Sequence, residues 1–174
     1  MKRALIIAAA LAAASPAIAQ APGETGGPVT NQTERDAIAE RVRAGADCAA
    51  CDLFQIDLAY RNVSGRDFSQ SRIRQANLSL AVADRANFTG SNLSIANLFG
   101  ARLTGADLTD ANLTQATLVG AYLGRARFDG AVLTGANLSG AELETARGLT
   151  QAQLDTACGD AATRLPAGMT VPAC

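Results

Sequence analysis

Residues 106–130 read ADLTD ANLTQ ATLVG AYLGR ARFDG, and the rhythm is five. Each block opens on Ala, carries Leu or Phe two residues later and closes on small or polar residues. The frame runs unbroken from Cys51 to Thr150, which is 20 blocks. The central residue is Leu in 13 of them, Phe at Phe68, Phe88 and Phe128, and otherwise Val63, Ile73, Ala83 or Gly148. Ala stands two residues before the centre in 14 blocks, and Asn or Asp lies between them in 11, so the pattern belongs to positions rather than to composition.

A period of five suits neither a helix nor an ordinary sheet. An amphipathic helix needs apolar residues three and four apart, and five apart places them on different faces. The Ala and the centre are two apart, so in extended chain both point the same way while the Asn or Asp between them points out. The Ser, Thr and Gly that follow suit a turn. Each block is therefore a short edge with one inward pair and a corner, and repetition winds the edges into a coil filled with Leu and Phe.

Tandem A(D/N)LXX over 20 units resembles the pentapeptide-repeat family. The resemblance implies an all-β solenoid, a right-handed quadrilateral β-helix with four blocks per coil. Phe68, Phe88 and Phe128 are spaced by 20 and 40 residues and share one side if a coil takes 20. With Leu108 between them they form an expected core stack. About five coils follow, roughly 24 Å tall at about 4.8 Å per coil. A solenoid must close its ends, because the terminal coils otherwise show their core to water.

The flanks supply candidates. Lys2 and Arg3, the apolar run LIIAAALAAA and the small-residue pattern Ala17-Ile18-Ala19 read as a signal peptide over 1–19, cleaved after Ala19. The chain is then expected to be periplasmic or secreted. No later apolar run reaches the roughly 20 residues of a membrane span, so no membrane insertion is expected of the mature chain. Residues 20–32, rich in Gly, Pro and polar residues, read as a flexible leader. A helical cap is expected over 33–50, with Thr33 as N-cap, Ala37, Ile38 and Val42 as its apolar stripe, and Gly45 as its stop. The β-helix fills 51–150. A second cap spans 151–174, opening on Thr150-Gln-Ala-Gln153, which resembles a capping box that lays Leu154 over the last coil.

Cys48 and Cys51 precede the repeat, while Cys158 and Cys174 follow it. An even count in an exported chain argues for disulfides. The implied column separates the two pairs by about 24 Å, and bridged Cα atoms lie within about 7 Å, so Cys48–Cys51 and Cys158–Cys174 are the expected pairs. C-x-x-C-D-L at the start of the repeat also resembles exported members of the family. The competing reading makes CAAC a redox dithiol or half a metal site. Redox motifs of that spacing open a helix beside a βαβ pattern, which is missing here. A zinc site needs further thiolates or histidines, and the chain has no His.

Removing 1–19 leaves a net charge of −3, which gives no polybasic footprint for nucleic acid. No nucleophile with a base, metal cluster or phosphate loop is legible, so no catalytic residue, metal or cofactor is expected. One feature of the surface invites a partner. Tyr60 and Leu80 end blocks where Gly is more usual, Phe99 and Val119 follow centres on the same side, and Val82 begins the next side. Together they form an outward apolar strip, a contact for an unknown protein or envelope component, or for a homodimer. Arg85, Arg125, Arg127 and Arg147 gather at another corner, with Asp107 and Asp129 among them, and read as a solvated ion-pair network. The best-understood family members imitate duplex DNA and protect DNA gyrase. Export and weak charge disfavour that role, and leave a rigid, non-catalytic scaffold as the expected function.

Overall fold

Every fifth residue from Ala50 to Gly140 has a positive φ, between 55° and 70°. A computed structural model describes residues 32–174 of the chain. The expected signal peptide, and all of the expected leader except Gln32, lie outside the described residues. In each block up to the one centred on Leu143, the N–H of the next block's first residue returns to the carbonyl of the centre, as in Ile56 N to Leu53 O (3.1 Å) and Ala106 N to Leu103 O (3.0 Å). The left-handed fifth residue is the third residue of that turn, the place where Gly is favoured. Four such corners bring the chain round to its start. Parallel bridges join each residue before a centre to the one 20 further on, from Asp52 with Arg72 to Arg127 with Arg147. One bridging residue per side replaces a continuous strand, and the tube is four-sided.

The inward pairs form the core. Centres and alanines from Leu53 to Leu143 are buried almost without exception, and Phe68, Phe88 and Phe128 have no exposure. Phe68 and Phe88 stack with ring centroids 5.3 Å apart, and Leu108 separates Phe88 from Phe128 in the same column. The outward Asn and Asp side chains hold the corners. Their Oδ1 atoms accept from the backbone N–H two residues on, as Asn62 does from Ser64 (3.0 Å) and Asn112 from Thr114 (2.9 Å). This Asx turn fixes the chain just where it leaves the extended edge.

Helix α1, Gln32–Arg43, begins one residue before the expected cap, so Thr33 lies inside its first turn and is not its N-cap. Gln32 instead reaches Asp36 Oδ1 at 2.8 Å, and Arg35 donates to Gln32 Oε1. Val42 is buried, Ile38 and Ala39 pack on the core, and Ala37 is exposed, so Ala39 takes the place expected of Ala37. The helix stops at Gly45 (φ 92°), with Gly45 N on Val42 O and Ala46 N on Arg41 O, the two bonds of a Schellman motif. Helix α2, Gln151–Leu154, has Thr150 as N-cap in a complete capping box, and Leu154 is fully buried. Gln153 Nε2 also donates to Phe128 O and Ala131 O, both at 2.8 Å. The register slips here, with Asn137 bridged to Cys158 and Glu142 to Arg164. Gly148 brings the repeat's inward pattern to an end: its φ is 66°, and a Cβ there would collide with the Asp129 carboxylate.

Two disulfides are present, Cys48–Cys51 with Cα atoms 5.5 Å apart and Cys158–Cys174 at 4.7 Å. The second ties down a tail whose backbone already pairs with Gly159, through Gly159 N to Pro172 O and Cys174 N to Gly159 O, next to the bridge of Cys158 with Asn137.

Two serines occupy alanine positions inside the tube. Ser71 Oγ donates to Phe68 O, while Ser91 Oγ is buried without a partner. The same column continues as Ala111 and Ala131. Ser91→Ala is therefore expected to raise stability by about 1 kcal/mol, since a desolvated hydroxyl disappears and a smaller side chain fits the site. Urea melting of the variant would check it, and a fall in midpoint would show that the hydroxyl has a partner in solution.

Candidate functional site

The 20-residue register sorts the outer surface into straight columns. One corner carries Ala59, Ser79, Phe99, Val119 and Ser139 in its first column and Tyr60, Leu80, Gly100, Gly120 and Gly140 in its second. Past the turn, Asn62, Val82, Arg102, Tyr122 and Glu142 form the third, joined in series by the bridges Asn62–Val82, Val82–Arg102, Arg102–Tyr122 and Tyr122–Glu142. Backbone bonds tie the first two columns together, with Leu80 N on Phe99 O (2.8 Å) and Gly100 N on Val119 O (2.9 Å).

Tyr60 is 76% exposed, Phe99 49% and Leu80 43%, whereas Val82 and Val119 are half-buried. The residues proposed from sequence thus share one corner. Sequence reasoning passes over Tyr122, 46% exposed in the column of Val82, although an aromatic where Asn or Asp is usual is a usable signal. The described residues include two further exposed large apolar side chains, Ile95 and Val132, and both lie on another side.

Two of the eleven non-Gly residues at left-handed fifth positions among the described residues stand at this corner. Tyr60 (φ 60°) and Leu80 (φ 56°) stand at left-handed positions, which large side chains adopt at a cost. Leu80 lies over the next level, where a Cβ on Gly100 would come within 2.7 Å of its Cδ2. A Cβ on Gly120 would meet nothing within 4 Å, and one on Gly140 only the Gly120 backbone at 3.9 Å. The corner is a ridge at its N-terminal end and an open furrow at the other.

Beside the strip lies an open cleft of about 620 Å³ lined by Ser64, Gly65, Asp84, Arg85, Arg102 and Thr104. Its acid is already engaged: Asp84 accepts from Arg102 and from Thr104 N at 3.1 Å. The Arg102 hydrogen bond holds the Asp84 carboxyl below its usual range, against the opposing pull of partial burial. At the arginine corner, Arg127 pairs with Asp107 at 3.6 Å and Asp129 at 3.5 Å, while Arg85 and Arg125 stand in the neighbouring column. Partial burial pushes the Asp107 carboxyl up, but its bonds to Thr109 and the Arg127 charge outweigh that and leave it lowered. Among the described residues no cluster of His, Cys, Asp or Glu could hold a metal ion, and the Cys48 and Cys51 sulfurs are bonded to each other.

The family model for pentapeptide repeats matches eight copies, over residues 64–98, 96–131 and 111–147. A pentapeptide repeat protein of the Arabidopsis thaliana thylakoid lumen is 30% identical over 61% of this chain and 83% of its own, with a TM-score of 0.40. The chain belongs to the pentapeptide-repeat family. A second member of known structure, from the cyanobacterium Cyanothece 51142, is 23% identical over 78% of this chain and 99% of its own, with a TM-score of 0.40. QnrB1, a plasmid-mediated fluoroquinolone resistance protein, is 23% identical over 62% of this chain and 67% of its own, with a TM-score of 0.30. No curated protein matches. Among the described residues of this pentapeptide-repeat protein, no helix is long and apolar enough to cross a membrane.

Proposed function

We propose that this chain is an exported, non-catalytic scaffold that presents the Tyr60–Leu80–Phe99–Val119 corner to a protein of the cell envelope. In this reading 1–19 is removed and 20–31 is a leader. The tube of about five coils over 51–150 is closed by the segments 32–50 and 151–174. The two disulfides staple its ends for life in an oxidising compartment, where such bonds persist.

One observation carries the reading. The chain leaves the large apolar side chains of Tyr60 and Leu80 exposed beside Phe99, in a column whose later levels carry Gly100, Gly120 and Gly140. A contiguous exposed apolar surface of this kind points to a use as a contact. The rest of the wall is polar and mildly acidic, which suits a protein partner better than nucleic acid.

Phe99→Asp combined with Val119→Asp tests it. Both side chains face outward, so melting is expected to stay within about 0.5 kcal/mol of the parent, and cross-linking from this corner in the cell envelope is expected to disappear. Cross-links that persist unchanged through the double substitution would remove the strip from the account.

A further inference from the structure

We propose that the partner of this corner is a second copy of the chain, turned end over end about a twofold axis at the level of Phe99 and Gly100. The proposal rests on the reading of the corner as a contact surface and goes further by naming what covers it. A twofold of this kind keeps each column opposite itself and reverses the order of levels, which makes the contact isologous. Tyr60 then meets the furrow at Gly140, and Leu80 meets the furrow at Gly120. The emptiest positions of the corner receive its largest knobs. Val82 packs on Tyr122, and Phe99 meets its own counterpart on the axis.

The same operation would have failed for an arbitrary arrangement. A corner bulky at both ends would collide with itself, and one bulky only at its middle would leave voids above and below. Here bulk and glycine stand in antisymmetric order along a single column: Tyr60 and Leu80, then Gly100, Gly120 and Gly140. Charge follows the same order. Arg61 is exposed at one end and Glu142 half-exposed at the other, and neither has an ion pair of its own among the described residues. The rotation sets each beside the other's counterpart. Arg102 approaches its counterpart near the axis, but each guanidinium is already neutralised by Asp84 in its own chain.

The shared face is about 24 Å tall, five levels at roughly 4.8 Å, and falls short of the roughly 800 Å² per partner of a standard interface. A reversible dimer with a micromolar dissociation constant is therefore expected, concentration-dependent in sedimentation equilibrium. Leu80→Gly, which relieves left-handed strain and removes a knob, should keep the melting transition and weaken dimerisation about tenfold or more.

Engineered cysteines read the symmetry directly. Phe99→Cys should oxidise to a disulfide-linked dimer by itself. Val82→Cys and Tyr122→Cys should each fail alone, because two levels separate a column position from its own counterpart, about 10 Å against the roughly 7 Å a disulfide spans. Mixed together, the two should cross-link. A wild-type chain that stays monomeric at high micromolar concentration overturns the pairing, as does a Val82→Cys and Tyr122→Cys mixture that bonds no better than either alone. The broader reading fails separately, when substitutions at Phe99 and Val119 leave every envelope cross-link in place.

Discussion

Leu103→Asp abolishes the folded state. Leu103 is 1% exposed at mid-height in the tube, with its backbone N–H on Tyr122 O at 2.8 Å. Truncating a buried leucine alone costs about 2–5 kcal/mol. A carboxyl without a partner adds about 1–3 kcal/mol even when it stays protonated, and far more when ionised. The sum reaches the roughly 5–15 kcal/mol that a whole domain has to spare. Stacked coils support only their neighbours, so a failed middle leaves two short stubs, each with an open end. Loss of the β-type circular dichroism signal at neutral pH would be the readout, with Leu103→Met as the volume-conserving control. The pH dependence gives a second signature. Burial raises the introduced carboxyl above its unfolded value of about 4, so the folded state gains on acidification and is weakest above that value. A variant that melts cooperatively near the parent temperature at pH 7 would mean that position 103 does not face inward.

That inward assignment is legible in the sequence because the five-residue period is carried by side chains with one job each. Ala and Leu mark the inside, and Asn or Asp marks the residue whose Oδ1 closes the corner. The 20-residue register is implied by the family resemblance and supported by the spacings of Phe68, Phe88 and Phe128. Other features are written more faintly. Eight glycines hint at the left-handed fifth position, but Gln55, Arg85 and Ile95 adopt the same φ because the ladder above and below holds them there. The start of α1 lies one residue ahead of its expected place, since Thr33 is a good cap by type and the sequence does not reveal that Gln32 already belongs to the helix. Tyr122 is hard to find because apolar residues in the bridging column have no periodic signal of their own. Its meaning comes only from Val82, two levels away on the same face.

Phe88→Ala produces the second large loss, about 3–5 kcal/mol and toward the upper end of that range. The size follows from how the tube shares out volume. Phe68 has the smaller Val63 as the preceding centre, Phe88 has Ala83, and Phe128 has Gly148 one level on. Each aromatic thus stands next to a centre too small to fill its own side, and at Phe88 the neighbour is the smallest centre that is still buried. Removing the ring leaves two adjacent alanines with nothing able to relax into the gap, and Phe68 loses its stacking partner at 5.3 Å. Ala83→Leu makes the opposite error: it crowds Phe88 and costs about 1–3 kcal/mol by overpacking. The two sites are then coupled. Ala83→Leu with Phe88→Leu gives this level, with Ile73 and Leu78, four branched aliphatic centres much like the level above, where Leu93, Leu98, Leu103 and Leu108 are the centres. The double variant is expected to be more stable than the sum of its parts by about 1–3 kcal/mol, within the range measured for touching residues. Chemical denaturation of Ala83→Leu, Phe88→Leu and the double variant gives the cycle. Additive losses would mean that Ala83 is small for a reason unrelated to Phe88, and that the volume of each side is set independently.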